Sequence, residues 1–382
     1  MAEDDQKKSD RDRTPVPPNV RSEASDPVAQ AEGRERAAIT VARARNVFET
    51  VKLDDARHQR ALVNNRLRIC CVSSDLRIVD DPNKDGKYDL DLRLKDEGQA
   101  RITVPLGDIE LWKRDRDEEL TVALALDPDI VAFNELAFPP CDAAGRDAVA
   151  KAMLGMLQAK QTSAFVFCGS HHTAPEGGSN VGIIFPFGAF GFQGDEDAYD
   201  PARRHIEYYK STSMRSVGEI IASGSREFRP PAITRREGVI TVLQSSDVFD
   251  FKRVHDLAER NLRETTTKMD IILVPSWATK LNEPVDAMCA YLSRWSATTV
   301  VHINANSTDS AFQPTSIFVC GEQPATFATT RRPHTLPSGR TSQLLVFDLD
   351  LNAVTEQRRV WMDSPAMKRM KTPVIIGGAS LL

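Results

Sequence analysis

The chain has 382 residues, 41% of them hydrophobic and 27% charged, the balance of a soluble globular protein with apolar surface enough for a large core. A net charge of −5 offers no basic field for nucleic acid or an anionic membrane, and no apolar run approaches the about 20 residues of a spanning helix. The opening Ala-Glu-Asp-Asp-Gln-Lys-Lys lacks the apolar core of a signal peptide, and six cysteines at 70, 71, 141, 168, 289 and 320 form no paired framework, so a cytoplasmic protein with free thiols is expected.

Residues 1–35 mix both charge signs with Pro15, Pro17, Pro18 and Pro27, and are expected to form a disordered polar tail. Over 36–65, Ala38, Val41, Ala42, Val47 and Phe48 suggest a helical extension. Leu67–Val72 reads as a buried strand, followed by a polar insertion in which Asp85-Gly86 is a hairpin signal. Ile130–Phe133 is a second core strand. Ala143–Lys160 carries Val149, Met153, Met156 and Leu157 at helical spacing. Ala164–Cys168 and Val181–Phe185 read as strands around a loop at 171–180, and Val239–Leu243 as another. Phe251–Arg263 and Val285–Trp295 read as helices, with strands at Ile271–Val274, Thr299–Ile303, Thr315–Val319 and Leu344–Phe347. Alternating strands and helices without an internal repeat predict a layered α/β architecture. Residues 353–382 read as a C-terminal tail.

Three positions carry candidate chemistry. Glu135 ends the apolar run Asp-Ile-Val-Ala-Phe-Asn-Glu, where partial burial would suit a carboxylate to general base work. Lys210 follows Tyr208 and Tyr209, which are expected to wall off water around an ammonium able to stabilise an oxyanion. Ser245 lies in Gly-Val-Ile-Thr-Val-Leu-Gln-Ser-Ser-Asp (238–247). Taken singly, a strand-end glutamate or a loop lysine is more often a solvated surface group.

The order and context of the three resemble the carbon–nitrogen hydrolase (nitrilase/amidase) superfamily. That family places a glutamate base after one strand, a lysine after a second, and a cysteine nucleophile in a G-x-x-x-x-x-I-C-x-D segment. Gly238 and Asp247 match its ends; Ser245 stands at the cysteine position and Gln244 at the apolar one before it. The resemblance implies a four-layer α-β-β-α sandwich over about 66–352, a homodimer with the C-terminal tail at the contact, a small amide-like substrate and no cofactor. It also implies a second glutamate, Glu227 with Glu219 as competitor, and substrate-binding roles for Asn180, Asp247 and Trp277, the last in Ile-Ile-Leu-Val-Pro-Ser-Trp (271–277). Asn304-Ala305-Asn306 is similar to the family's later strand ending in Asn.

A cysteine thiol is partly ionised at neutral pH and a serine hydroxyl is not. Three accounts of Ser245 stand: a catalytically silent domain that keeps the pocket for a ligand, partner or regulatory role; an engineered change; or direct action of Ser245 with Glu135. Lys210 is expected to act by charge, so that its removal would leave the melting temperature unchanged. Cys168-Gly-Ser-His171-His172 lacks a second ligand cluster and reads as a polar loop beside the pocket rather than a metal site. Gly188, Gly191 and Gly194 fit no phosphate-binding pattern.

Overall fold

A computed structural model describes residues 49–51, 66–74, 87–90, 102–105, 109–138, 143–172, 179–190, 204–212, 230–235, 238–250, 254–255, 269–278, 285–305, 315–319, 330–335 and 341–365. All lie in one compact unit, Val47–Leu382. The tail expected over 1–35, Glu219, Glu227, Cys141 and most of the helix expected at 251–263 lie outside the described residues.

In chain order the elements begin with β1 (Glu49–Val51), β2 (Arg66–Ser73), β3 (Lys87–Leu90), β4 (Ile102–Pro105), α1 (Ile109–Leu124) and β5 (Ile130–Phe133). Next come α2 (Ala143–Ala159), β6 (Phe165–His172), β7 (Asn180–Phe185), β8 (Ile206–Tyr209), β9 (Pro231–Arg235) and β10 (Gly238–Val242). A 3-10 turn at Ser245–Phe249 precedes β11 (Met269–Ser276), α3 (Val285–Ser296) and β12 (Thr299–Asn304). The last are β13 (Ser316–Phe318), β14 (Thr330–Thr335), β15 (Thr341–Asp350) and α4 (Leu351–Asp363).

Two mixed sheets result, one ordered β1-β9-β10-β11-β12-β13 and the other β14-β15-β2-β5-β6-β7-β8. The parallel runs β10-β11-β12 and β2-β5-β6 form their centres. Residues alternate across each strand, so one face of each sheet meets the other sheet. Leu67, Ile69 and Ile130 from one pack with Ile240, Leu273 and Val301 from the other. The opposite faces are covered by helices: Val131, Phe133 and Val166 lie against Leu120 of α1 and Val149, Met153 and Leu157 of α2. Ile272, Val274 and Val300 lie against Val285, Met288, Cys289 and Leu292 of α3, spaced as one helical stripe. The layers are therefore α-β-β-α, as expected. Strands buried on both faces explain why they read as continuous apolar runs rather than alternating ones.

Several boundaries differ from the sequence reading. Glu49–Val51, inside the segment expected to be helical, is a strand paired in parallel with β9. The hairpin signal Asp85-Gly86 lies outside the described residues; just after it, β3 pairs antiparallel with β4. Cys168–His172 continues β6 instead of forming a polar loop, because Ser170, His171 and His172 pair with Gly182, Val181 and Asn180 of β7. Helix α1 and strands β8 and β9 had not been expected. Residues 353–363, read as tail, belong to α4. Asp350 caps it through Oδ1, which accepts from the N–H groups of Asn352 and Ala353, and Leu351 and Val354 pack on the inter-sheet core.

No helix among the described residues is long and apolar enough to cross a membrane, and none of their His, Cys, Asp and Glu side chains group in threes fit to hold a metal ion.

Candidate active site

The site forms where strand ends from both sheets meet. Past Phe133 the chain makes a tight turn, with Leu136 at φ 57°. Asn134 accepts from Ser74 N at 2.8 Å and donates to the Glu135 carbonyl at 2.7 Å, while Leu136 N donates to Ser170 Oγ at 3.1 Å. Close approach of β6 to this turn requires Gly169: at φ +92°, a Cβ there would lie 2.5 Å from Ala137 Cβ and 2.8 Å from the Asn134 carbonyl oxygen. The Cys-Gly-Ser-His run thus shapes the glutamate turn.

Glu135 is 2% exposed. Its Oε1 receives Lys210 Nζ at 2.6 Å and Asn180 Nδ2 at 2.8 Å; its Oε2 receives the Trp277 N–H at 3.2 Å. Three donors on one carboxylate favour its ionised form. The two candidate residues, 75 positions apart in sequence, form a buried ion pair. Asn180 bridges them, since its carbonyl accepts from Lys210 N at 2.9 Å. Trp277 reaches the site through its backbone.

The buried pair changes one expectation. Removing one member of such a pair leaves an uncompensated charge and typically costs about 3–5 kcal/mol. Loss of Lys210 should therefore lower the melting temperature as well as remove a charge.

The turn bearing Ser245 is strapped to the end of β8. Gln244 Nε2 donates to the Tyr208 carbonyl at 3.0 Å and Ser246 Oγ donates to the Thr212 carbonyl. Asp247 Oδ2 accepts from Tyr208 Oη at 2.5 Å, and its Oδ1 accepts from Ser211 N, Ser211 Oγ and Thr212 N at 2.9–3.0 Å. Burial pushes the Asp247 carboxyl above its usual range, against these hydrogen bonds and the nearby Lys210 charge. Contacts on both sides of Ser245 thus tie it to residues 208–212. Ser245 is itself fully buried, sits at φ 37°, and its Oγ has no hydrogen-bond partner among the described residues.

Tyr208 and Tyr209 do not wall the lysine together, because strand alternation sends them to opposite faces. Tyr208 faces the core and Asp247, whereas Tyr209 Oη donates to Glu207 Oε2 at 2.7 Å, beside Arg146. Sequence reasoning missed Ser211 and Thr212 as partners of Asp247, and Ser74 and Ser170 as supports of the glutamate turn. Single hydroxyls and backbone N–H groups leave no pattern in a sequence.

The described cysteines Cys70, Cys71, Cys168 and Cys289 are free and buried. Burial pushes the Cys70 thiol up to about 12 and the other three well above the ordinary range, so none is poised as a nucleophile.

No protein-family model and no curated protein matches the chain. Among solved structures it is similar to a variant of the Nesterenkonia AN1 amidase from the nitrilase superfamily, at 14% identity and TM-score 0.47 over 82% of this chain and 99% of that one. A carbon–nitrogen hydrolase superfamily protein from Xanthomonas campestris aligns at 14% identity and TM-score 0.48, over 78% and 97% of the two chains. A Saccharomyces cerevisiae member of branch 10 of the nitrilase superfamily aligns at 12% and 0.47, over 82% and 100%.

Proposed function

We propose that the chain carries a carbon–nitrogen hydrolase centre of the nitrilase type, with Glu135 as base, Lys210 as oxyanion stabiliser and residue 245 as nucleophile, acting on a small amide in the cytoplasm. The observation that carries this reading is the buried Glu135–Lys210 pair, with the strained Ser245 turn strapped to the lysine's strand end. The motif resemblance from Gly238 to Asp247 supports the same assignment.

In this scheme the hydroxyl or thiol of residue 245 adds to the amide carbon and gives its proton to Glu135. Lys210 offsets the negative charge on the tetrahedral oxygen. The C–N bond breaks as Glu135 returns the proton to the leaving amine. Water, deprotonated by Glu135, then attacks the acyl group, releasing the acid and regenerating residue 245. The three side chains and water balance the reaction without a cofactor.

A second reading follows from Ser245 itself. A hydroxyl far from ionisation, where the family pattern has a thiol, suits a silent domain that binds a small amide-like ligand or a partner without turning it over.

The Ser245→Cys variant separates the two. The hydrolase reading expects the thiol at 245 to be alkylated by iodoacetamide faster than any of the six native cysteines, because the nearby Lys210 favours the thiolate. It also expects an acyl adduct on that residue with a panel of simple amides, seen by mass spectrometry. Adding Lys210→Met, assayed below its lowered melting point, should cut turnover by about 10²–10³. A thiol that reacts no faster than the native ones, with no adduct, leaves the silent reading.

A further inference from the structure

Behind Glu135 lies a second buried chain of polar groups. His302 Nε2 is 2.6 Å from Ser276 Oγ, and His302 Nδ1 is 3.3 Å from Asp286 Oδ1. Asp286 is held also by Ser316 Oγ at 2.5 Å. Burial pushes the Asp286 carboxyl up, but the hydrogen bonds from His302 and Ser316 outweigh it and hold it below its usual range. As a carboxylate it only accepts, so Nδ1 carries the proton. Ser276 Oγ also contacts Asn304 Oδ1 at 3.1 Å. Asn304 clamps the next turn through both ends of its amide, accepting from Ala278 N at 2.8 Å and donating to the Ala278 carbonyl at 2.7 Å. Between Ser276 and Ala278 stands Trp277, whose N–H is on Glu135.

The order Ser–His–Asp is that of a serine-hydrolase triad. Its placement argues otherwise. Ser276 continues the face of Ile272 and Val274, and His302 the face of Val300, which pack against α3. Ser276 and His302 are fully buried there, and Asp286 in the first turn of α3 is the end nearest solvent.

We infer that Asp286, His302 and Ser276 form a positioning relay that fixes the 276–278 turn and so holds the Trp277 N–H on the Glu135 carboxylate. This role rests on the reading of Glu135 as base, but its test needs no turnover. Among the described residues, the charged groups about Glu135 are Lys210 and, beyond it, Asp247, and the charged group facing His302 is Asp286. Losing a donor to the ionised form raises a carboxyl pKa.

The test labels tryptophan backbone nitrogens with 15N in the Ser245 protein. Of the four tryptophans, the signal lost in Trp277→Phe assigns Trp277, and the midpoint of its pH titration reads Glu135. His302→Leu should move that midpoint upward by about half to one pH unit. His302→Gln, which keeps a hydrogen-bonding group toward Ser276, should restore it. Asp286→Asn should shift it less, in the same direction, and Glu135→Gln should abolish it. A folded His302→Leu protein with an unmoved midpoint overturns the relay, as does a titration that survives Glu135→Gln. A purely structural role would lower melting in both His302 variants and leave the midpoint in place. Failure of the Ser245→Cys adduct would sink the hydrolase reading and leave this result standing.

Discussion

At the scale of single residues, Ser245 concentrates the unusual features. A non-glycine residue at φ 37° and a buried hydroxyl without a partner among the described residues each cost free energy, about 1–3 kcal/mol for such a backbone conformation. Strain of this kind persists where the surroundings over-determine it, and here the contacts of Gln244, Ser246 and Asp247 do so. Replacing Ser245 with glycine removes both the Cβ and the buried hydroxyl. We expect Ser245→Gly to raise the unfolding free energy by about 1 kcal/mol in a denaturant titration. A destabilised variant would show that the elbow is relaxed and that the hydroxyl contributes to the fold.

At the scale of elements, Gly238 illustrates how a motif residue can be structural. It starts β10 at φ +121°, and a Cβ there would sit 2.4 Å from the Asp270 carboxylate. That carboxylate accepts from Val239 N at 2.9 Å and from Arg358 at 3.0 Å, so it pins the start of β10 to β11 and to α4. Gly238→Ala should displace Asp270 and loosen all three, costing at least about 2 kcal/mol. A denaturant midpoint within error of the parent would refute this account. The same contacts explain why α4 was not legible in sequence. Its apolar face is little more than Leu351 and Val354; the rest of its docking is polar, through Gln357 to the Val319 carbonyl, Arg358 to Asp270 and Trp361 to the Arg294 carbonyl.

At the scale of the whole molecule, buried carboxyls pull stability in opposite directions with pH. Burial raises Glu119 and Asp247 above their usual range, so these two gain as pH falls. Glu207 runs the other way. Burial pushes it up, but His205, Tyr209 and Arg146 outweigh that and bring it down to about 2. A depressed folded pKa means a contribution fully present above the unfolded value of 4.5 and lost as pH falls through about 2. Discounted for solvent screening, it is on the order of 1 kcal/mol. The stability gap between the parent and Glu207→Gln should therefore narrow steadily from pH 5 to pH 2. A gap that stays constant over that range would show that Glu207 contributes no linkage.

Much of the fold was legible because burial writes itself into sequence. Strands such as Ile130–Phe133 and helices such as Val285–Ser296 must present apolar faces to a core, and those faces recur at fixed spacing. The positions of Glu135, Lys210 and Ser245 stood out through their strand-end contexts and the resemblance those contexts carry. Sequence could not pair them. The Glu135–Lys210 ion pair, the four hydrogen bonds on Asp247 and the chain from Asp286 through His302 to Ser276 each join residues from separate elements. Polar contacts of this kind have no periodicity, and their partners are chosen by strand register and sheet stacking. Only the folded chain brings those groups within hydrogen-bond distance, and only there does the backbone strain at Ser245 arise.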